Sequence, residues 1–299
     1  MKPHFIISSY MIDKEDYDPS YYNSWTSACK ELGVEFSVVD MSPSETSDEE
    51  FYNKLPLSCR LRLGVIPVFF GSIEYCRKIK KVLKNKPYVM FFDENKLDCS
   101  NYYPKFSSDI PLLNNDYFIL EYKNLLENWD LIYNVLKKDI VFIRPNSNMK
   151  QFTGGNYLTN DTGKRTFIEM SNKLNGWGIP VKDKELCLVS SSKKIISEYR
   201  FYIYDKKVIT GCQYNRDLAL DVRTDILDKA KTIAEMVAKQ EYQPEIAYTC
   251  DIAELDDETF KVVELNNGST SGLYAMDKKK IVESIIDYCH NYMKGEFNG

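Results

Sequence analysis

Short apolar strands alternate with helices over the first third of the chain, and this alternation restricts the possible folds more than any other feature. The strand-like runs are "HFIISSY", "VEFSVVD", "GVIPVFFGS" and "YVMFFD". Between them lie helical runs such as "SIEYCRKIKKVLKN", which begins at Ser72, a good N-cap residue. Strands separated by helices normally pair in parallel. We therefore expect residues 1–105 to form a Rossmann-like α/β lobe, which lacks the G-x-G-x-x-G motif of dinucleotide-binding proteins.

The pattern changes after an irregular aromatic segment at residues 99–111, where we place the boundary between two lobes. Strands are predicted in "DIVFIRP", in "ELCLVS" and in the hairpin "SEYRFYIYDKKVITGCQY". Helices are predicted in "LEYKNLLENWDLIYNVLKK", "GKRTFIEMSNKLNG", "DLALDVRTDILDKAKTIAEMVAKQ" and "DKKKIVESIIDYCHNYM". Because strands joined by short turns pair antiparallel, we expect residues 106–299 to form an α+β domain with antiparallel sheets.

The composition excludes several classes of function. The 299 residues are 43% hydrophobic and 28% charged with a net charge of −5, which is typical of a soluble protein and does not favour bulk binding of nucleic acid or membrane. No apolar run reaches the ~20 residues of a transmembrane helix. The first residues lack the pattern of a signal peptide, so we expect a cytoplasmic protein.

The number and positions of histidine and cysteine further restrict the catalytic mechanisms that are possible. His4 and His290 are the only histidines, which argues against a histidine-dependent triad or a histidine-rich metal site. The eight cysteines are scattered and form no C-x-x-C pair, so buried reduced thiols are favoured over zinc sites or disulfides. Any catalysis must therefore use carboxylates, other side chains or a bound metal.

An acidic hairpin is predicted in "CDIAELDDETFKVVELNN", with its turn at Asp256–Thr259. If the strands fold about this turn with Leu255 opposite Phe260, Asp251 lies opposite Glu264. One face of the hairpin is then apolar and carries Cys250, Ile252, Val263 and Leu265.

The other face of this hairpin carries Asp251, Glu264 and Asn266. Like charges directly opposite each other destabilise a sheet, and a divalent cation would remove that penalty. Two carboxylates and an amide supply the oxygen ligands that suit Mg²⁺. The alternative is an ordinary solvated face with two harmless acids, and the hairpin alone does not decide between them.

A second candidate segment is the loop in "VFIRPNSNMKQFTGGNY". Arg144 stands at the end of a predicted strand, and Lys150 precedes the run Thr153, Gly154 and Gly155. Consecutive glycines let backbone N–H groups approach phosphate oxygens closely, and cationic side chains add charge. No G-K-[ST] follows, so this is not a Walker A loop, and a plain glycine turn beside an exposed lysine is the alternative.

Two further strands could contribute to a site. In "SEYRFYIY", Glu198 and Arg200 share one face, either as an internal ion pair or as ligand contacts. In "ELCLVSS", the backbone of Leu188, Val189 and Ser190 could receive the edge of an adenine ring, although this motif is weak.

In this order, the segments resemble the ATP-grasp superfamily of carboxylate–amine ligases over most of the chain. They are most similar to a branch carried by bacteriophages and bacteria, with an Arg-Pro strand, a lysine in the loop before T-G, and E-[WY]-R-F. "FIRPNSNMKQFTGG" and "SEYRFYI" fit that pattern, and "FFGSIEYCRKI" and "LLNNDYFIL" resemble its leading domain. The resemblance implies a pre-ATP-grasp domain at 1–105 and an ATP-grasp domain at 106–299 whose two subdomains clamp ATP.

The resemblance also implies a role for each candidate residue. Adenine would lie against Leu188, Val189 and Ser190, and ribose against Glu198. Phosphate contacts would come from the strand and loop residues Arg144, Lys150, Thr153, Gly154 and Gly155. Mg²⁺ would be held by Asp251, Glu264 and Asn266, and catalytic charge would come from Arg200, Arg144 and Lys150.

One departure from the family pattern concerns Thr249. Many ATP-grasp ligases have a lysine or arginine two residues before the first metal-binding acid, where this chain has Thr249. The branch pattern implies that Arg200 supplies the missing positive charge.

The implied reaction joins a carboxylate to an amine or similar nucleophile through an acyl phosphate, with ADP and phosphate as products. The substrates could be small molecules, peptides or proteins. One alternative is a catalytically silent nucleotide-binding module that recognises a protein or tRNA. Another is a Mg²⁺-dependent nuclease or phosphatase that uses the acid pair and needs no ATP.

Overall fold

A parallel three-stranded sheet forms the N-terminal part of the protein in our computed structural model, which describes residues 2–9, 11, 24–61, 64–173 and 181–293. The strand order is β2-β1-β3, with β1 at Lys2–Ser8, β2 at Glu35–Val39 and β3 at Val65–Phe70. The helices are α1 at Trp25–Glu31, α2 at Asp48–Lys54, α3 at Leu57–Arg60 and α4 at Ile73–Val82. Ser72 caps α4, since its side chain accepts a hydrogen bond from the backbone N–H of Tyr75. The predicted parallel pairing of the first strands is therefore present.

The run "YVMFFD" does not form the full strand that was predicted. It contributes a single bridge between Val89 and Val68. Farther along, the backbone of Phe91 bonds to Ser269, and the Asp93 N–H donates to the Asn267 side chain. The segment therefore pairs with a loop from the C-terminal half of the chain, which joins the two parts of the protein.

A four-stranded antiparallel sheet with the order β4-β7-β5-β6 forms the middle of the protein. Its strands are β4 at Phe118–Glu121, β5 at Ile140–Pro145, β6 at Gly155–Leu158 and β7 at Leu186–Ser191. It is preceded by the short helix α5 at Cys99–Tyr102 and a 3-10 turn at Tyr103–Lys105. The helices are α6 at Tyr122–Glu127, α7 at Trp129–Leu136 and α8 at Asp161–Lys173, around a core that includes Phe167. The one long helix predicted near 120–138 is therefore wrong, since it starts as a strand and is interrupted at Asn128.

A five-stranded antiparallel sheet with the order β10-β9-β8-β11-β12 forms the C-terminal part. Its strands are β8 at Ile195–Tyr204, β9 at Lys207–Arg216, β10 at Ala219–Arg223, β11 at Ala247–Leu255 and β12 at Phe260–Asn267. The helices are α9 at Asp228–Ala238 and α10 at Lys278–Met293. The predicted helix over 217–240 is wrong in its first part, because residues 219–223 form an outer strand that pairs with β9. Leu218 and Leu220 at this outer strand are 83% and 68% exposed.

The two faces of the five-stranded sheet pack differently. Phe201 and Ile203 on one face join a core with α9. On the other face, Tyr202 and Tyr204 pack against the core of the parallel sheet and α10. Farther along β8 on that second face come Arg200 and Glu198, which puts the charged end of the strand toward the four-stranded sheet.

The β11–β12 hairpin places Asp251 opposite Glu264, as predicted. The predicted pairing at the turn end is wrong, because Phe260 lies opposite Glu254 rather than Leu255. A β-bulge between the two regions absorbs the difference. Val263 is the extra residue of this bulge.

The bulge also changes which valine is buried. Val262, rather than Val263, joins Cys250, Ile252 and Leu265 in the core. The outer edge of β12 is covered at this point, since Val262 exchanges backbone hydrogen bonds of 2.8 Å with Pro111 and Leu113. No helix within the described ranges is both long and apolar enough to cross a membrane.

Candidate active site

Asp251, Glu264 and Asn266 converge on one face of the β11–β12 hairpin. Asn266 Nδ2 donates to Glu264 Oε1 at 3.0 Å and lies 3.4 Å from Asp251 Oδ2. Asp251 is fully buried, and burial raises the pKa of its carboxyl while the nearby Arg200 opposes that shift. Of the three residues predicted to bind a metal, Asn266 therefore lies within hydrogen-bonding distance of both acids.

Arg200 binds Asp251 through two parallel hydrogen bonds. Its Nε donates to Oδ1 and its Nη2 to Oδ2, both at 2.7 Å, and its Nη1 donates to the carbonyl of Gly272 at 3.0 Å. The two residues are cross-strand neighbours on β8 and β11. Thr249 instead bonds Ser271 at 2.9 Å. Arg200 thus brings positive charge to Asp251, in the way that the family pattern implied.

Arg144 reaches the same site from the four-stranded sheet. Its Nη2 lies 2.7 Å from Glu264 Oε2, and its side chain is 10% exposed. Burial raises the pKa of Glu264, but Arg144 and the Asn266 amide more than compensate, so this pKa lies below its ordinary value. Both arginines therefore contact the acids directly.

The predicted phosphate loop is fixed at its start by two buried asparagines. Asn148 donates to the carbonyl of Leu265 at 2.9 Å and to Asn266 Oδ1 at 2.8 Å. The Asn146 side chain bonds the backbone N–H and the hydroxyl of Ser100. Lys150 is exposed and has a positive φ of 54°, and its charge lowers the pKa of Asp251 and of Glu264. The loop therefore brings Lys150 close to the acids.

The glycines of this loop allow close packing. A Cβ at Gly154 would lie 2.9 Å from the Phe142 ring and 3.1 Å from Arg144 Cβ. Gly155 starts β6, directly after Thr153 and Gly154. Gly154 thus lets the loop run closely against the strand that carries Arg144.

The residues predicted to meet adenine lie in the interior of the four-stranded sheet. Leu188, Val189 and Ser190 are fully buried in β7, a central strand. Leu188 and Val189 pair with β4 on one side and β5 on the other. The ladders therefore occupy the backbone of these residues, and β7 ends at Ser191.

Glu198 lies beside the acid pair on β8. Tyr214 donates its hydroxyl to Glu198 Oε2 at 2.7 Å. Burial raises the pKa of Glu198 to about 7, the Tyr214 hydrogen bond opposes this rise, and the negative charges of Asp251 and Glu264 add to it. The carboxyl of Glu198 thus titrates near neutral pH.

We predict that Glu198→Gln stabilises the protein at alkaline pH. The folded state holds the Glu198 proton more tightly than the unfolded state between about 4.5 and 7, so this group makes the wild type less stable as the pH rises through that window. Glutamine cannot ionise, so at about pH 8 the variant should gain about 1–3 kcal/mol in free energy of unfolding relative to about pH 5. Urea denaturation at both pH values measures the difference. An unchanged pH dependence would show that Glu198 ionises freely in the folded protein.

The loop after β12 passes close to other backbone, which requires glycine at one position. A Cβ at Gly268 would lie 2.8 Å from the carbonyl oxygen of Ala247, whereas one at Gly272 would have its nearest neighbour at 3.6 Å. We predict that Gly268→Ala lowers the free energy of unfolding by about 1–3 kcal/mol. The matched variant Gly272→Ala should change it by less than about 0.5 kcal/mol. Equal urea midpoints for both variants would contradict this assignment.

The donor set of the site fits a hard divalent cation. Within the part of the chain that the structure describes, no group of three or more His, Cys, Asp or Glu residues could hold a metal. The candidate site consists of two carboxylates and the amide of Asn266, and such oxygen ligands suit Mg²⁺ when water and phosphate complete the coordination. Each carboxylate is also paired with an arginine, whose positive charge opposes the rise in pKa that burial causes.

Three side chains beside these acids were not predicted from the sequence. Tyr214 and Tyr274 stack with ring centroids 5.0 Å apart, and Arg200 lies over both rings. Asn148 bonds directly to Asn266. No signal in the sequence distinguished Tyr214, Tyr274 or Asn148 from other residues of their type.

Comparison with known protein families identifies the family of this chain. Residues 128–284, more than half of the chain, match the model of the ATP-grasp domain, R2K clade family 2. The chain belongs to this ATP-grasp family. The matched residues include every residue predicted to bind nucleotide or metal.

The fold of this ATP-grasp protein is shared with solved ligase structures. It is similar to the D-alanine–D-alanine ligase from Coxiella burnetii, with a TM-score of 0.60, 11% identity and 98% of each chain covered. For a D-cycloserine synthetase the TM-score is 0.59 at 10% identity, over 96% of this chain and 99% of that one. For the ATP complex of the D-alanine–D-alanine ligase from Bacillus anthracis it is 0.58 at 13% identity, over 99% and 100%. No curated protein sequence matches this ATP-grasp chain. The predicted ATP-grasp ligase class is confirmed in family and fold.

Proposed function

We propose that this protein is an ATP- and Mg²⁺-dependent ligase that joins a carboxylate to an amine or similar nucleophile, with ADP and phosphate as products. The convergence of Asp251, Glu264 and Asn266 between Arg200 and Arg144 carries this proposal. Two acids and an amide surrounded by fixed cationic groups suit a metal–triphosphate complex, in which charges of both signs must be neutralised.

The chain's own residues would position the reactants. Arg144, Lys150 and the backbone from Thr153 to Gly155 would bind the phosphates, and Glu198 would accept hydrogen bonds from the ribose hydroxyls. The adenine would lie next to the end of β7, beyond Ser190. Asp251, Glu264 and Asn266 would hold Mg²⁺, which supplies charge neutralisation of the β- and γ-phosphates.

The reaction proceeds in two displacements. A carboxylate oxygen of the substrate attacks the γ-phosphorus, the bond from phosphorus to the β-phosphate oxygen breaks, and ADP leaves. The amine nitrogen then attacks the acyl carbon, loses a proton to solvent, and phosphate departs with the former carboxylate oxygen. Arg144, Lys150 and Arg200 stabilise the negative charge that is transferred between oxygens, and they need no histidine.

The domain arrangement belongs to this proposal as well. The parallel sheet at the N-terminus would be the Rossmann-like pre-ATP-grasp domain, residues 1–105, and would help to form the acceptor pocket. Residues 106–299 would close on ATP from two sides. All eight cysteines are free and buried, which supports a reducing, cytoplasmic setting where ATP and Mg²⁺ are abundant.

Two measurements test the proposed function. Calorimetry should show that the wild type binds Mg·ATP and that binding weakens when Mg²⁺ is chelated. An assay for ADP over pools of carboxylates and amines, followed by mass spectrometry of products, should show a new amide with one ADP per bond formed. Binding without ADP formation in any pool would instead support a catalytically silent nucleotide-binding module. If the wild type does not bind Mg·ATP, both the ligase function and the nucleotide-binding function are overturned.

A further inference from the structure

Tyr214 lies at an irregularity of β9 beside the candidate active site. The register pairs Glu198 with Asn215 and Tyr199 with Gln213, so Tyr214 is the extra residue of a β-bulge. Bulges are frequent next to active sites, where they turn a side chain away from the direction that regular alternation gives it. The bulge at Tyr214 is on the strand next to the one that carries Glu198 and Arg200.

The hydroxyl of Tyr214 lies between two carboxylates that have separate roles. It is 2.7 Å from Glu198 Oε2 and 3.4 Å from Asp251 Oδ2. A phenol has one proton to donate, and the shorter distance assigns it to Glu198. In the proposed function Glu198 binds the ribose and Asp251 binds the metal, so one side chain touches both parts of the nucleotide site.

The ring of Tyr214 contacts both Tyr274 and Arg200. It stacks on Tyr274 at a centroid distance of 5.0 Å and an interplanar angle of 9°. The Arg200 guanidinium lies 5.0 Å from the Tyr214 ring and 5.4 Å from the Tyr274 ring. Because Arg200 is itself fixed by Asp251, the ring has little freedom, and the position of its hydroxyl is determined before any ligand binds.

We propose that Tyr214 is a positioning residue that holds the Glu198 carboxylate in the orientation for ribose binding and links it to the Asp251 end of the site. This inference rests on the proposed function. In this role the Tyr214 hydroxyl raises nucleotide affinity by orienting Glu198, and the Tyr214 ring supports the Arg200 side chain.

The test is a double-mutant cycle measured as Mg·ATP affinity by calorimetry. Tyr214→Phe keeps the ring and removes the hydroxyl, and it should weaken binding about 10-fold, the effect of one hydrogen bond to a charged group. In a Glu198→Gln background the same change should weaken binding by less than about 2-fold, because the carboxylate that it orients is gone. Urea midpoints of all variants verify that they are folded.

Tyr199→Phe is the matched control. It removes a hydroxyl that lies 3.4 Å from Glu254, on the opposite face of the same sheet, and it should leave Mg·ATP affinity unchanged. Equal affinity of the wild type and Tyr214→Phe, or equal losses in both backgrounds, would overturn the role of Tyr214 while the proposed function stands. A wild type that fails to bind Mg·ATP would overturn the proposed function itself, and the Tyr214 inference with it.

Discussion

Asp251→Ala should lower the free energy of unfolding by about 3–5 kcal/mol, because it leaves the Arg200 guanidinium buried without its counter-ion. Arg200 is 8% exposed, and Asp251 accepts two of its hydrogen bonds at 2.7 Å. The remaining partners, the carbonyl of Gly272 and the two tyrosine rings, do not replace a charge. Urea denaturation followed by circular dichroism, with an unchanged slope against denaturant, measures the loss.

A second variant separates the ion pair from the packing around it. Replacing both partners in the double variant Arg200→Met, Asp251→Leu should recover most of the lost stability, since an apolar pair of similar volume does not leave a lone buried charge. The double variant should still fail to bind Mg·ATP. If the free energy of unfolding of Asp251→Ala lies within about 1 kcal/mol of the wild-type value, Arg200 is solvated or paired with another anion in the variant. The ion pair then does not stabilise the fold.

Glu264→Gln should weaken the affinity for Mg·ATP by roughly 100-fold, as expected when a carboxylate near a metal loses its charge while keeping its shape. Glutamine can still accept a bond from Arg144, which lies 2.7 Å from Glu264 in the structure. The loss should therefore come mainly from binding of the cation. A titration of Mg²⁺ at fixed ATP should show that the variant needs more Mg²⁺ for half-maximal binding.

The matched control for Glu264 lies on the same hairpin. Glu254→Gln changes a carboxylate at the turn end of β11, where Glu254 contacts Tyr199 rather than the candidate site. This variant should bind Mg·ATP as the wild type does. Equal affinities for Glu264→Gln and Glu254→Gln would remove Glu264 from the predicted metal site.

The sequence pattern places Asp251 opposite Glu264 correctly but misplaces the turn end of the hairpin by one residue. The predicted register starts from Leu255 opposite Phe260, whereas the structure pairs Glu254 with Phe260, and the bulge at Val263 restores the pairing of Asp251 with Glu264. The bulge is invisible in the pattern because Val262 and Val263 are identical in character. Either valine satisfies the alternation, and only packing against the core selects Val262.

Contacts between segments that are distant in the sequence cannot be predicted from local sequence patterns. The Arg200 and Asp251 pair depends on β8 lying next to β11, and that strand order is a property of the whole sheet. Family resemblance implied that Arg200 brings positive charge to Asp251. The two hydrogen bonds between them became visible only in the folded structure. Tyr214 is one of 22 tyrosines, and a bulge on β9 selects it.

Two wrong predictions of secondary structure have local physical causes. Residues 219–223 form an outer strand that is exposed or half-exposed throughout, so they lack the apolar alternation of a buried strand and merge with the helix that follows. In "YVMFFD", Val89 bridges to Val68 of β3, but beyond that point the backbone bonds to Asn267 and Ser269 and the strand does not continue.

The outer strand β10 has a consequence for handling the protein in solution. Among the described residues it pairs with β9 alone, and an unpaired strand edge can recruit a strand from another molecule. Leu218 and Leu220 add apolar surface at that edge, and the charged side chains of Asp221 and Arg223 form an ion pair with each other. Self-association at high concentration should therefore begin at this edge. Charged replacements of the two leucines would increase solubility without touching Asp251, Glu264 or Arg200.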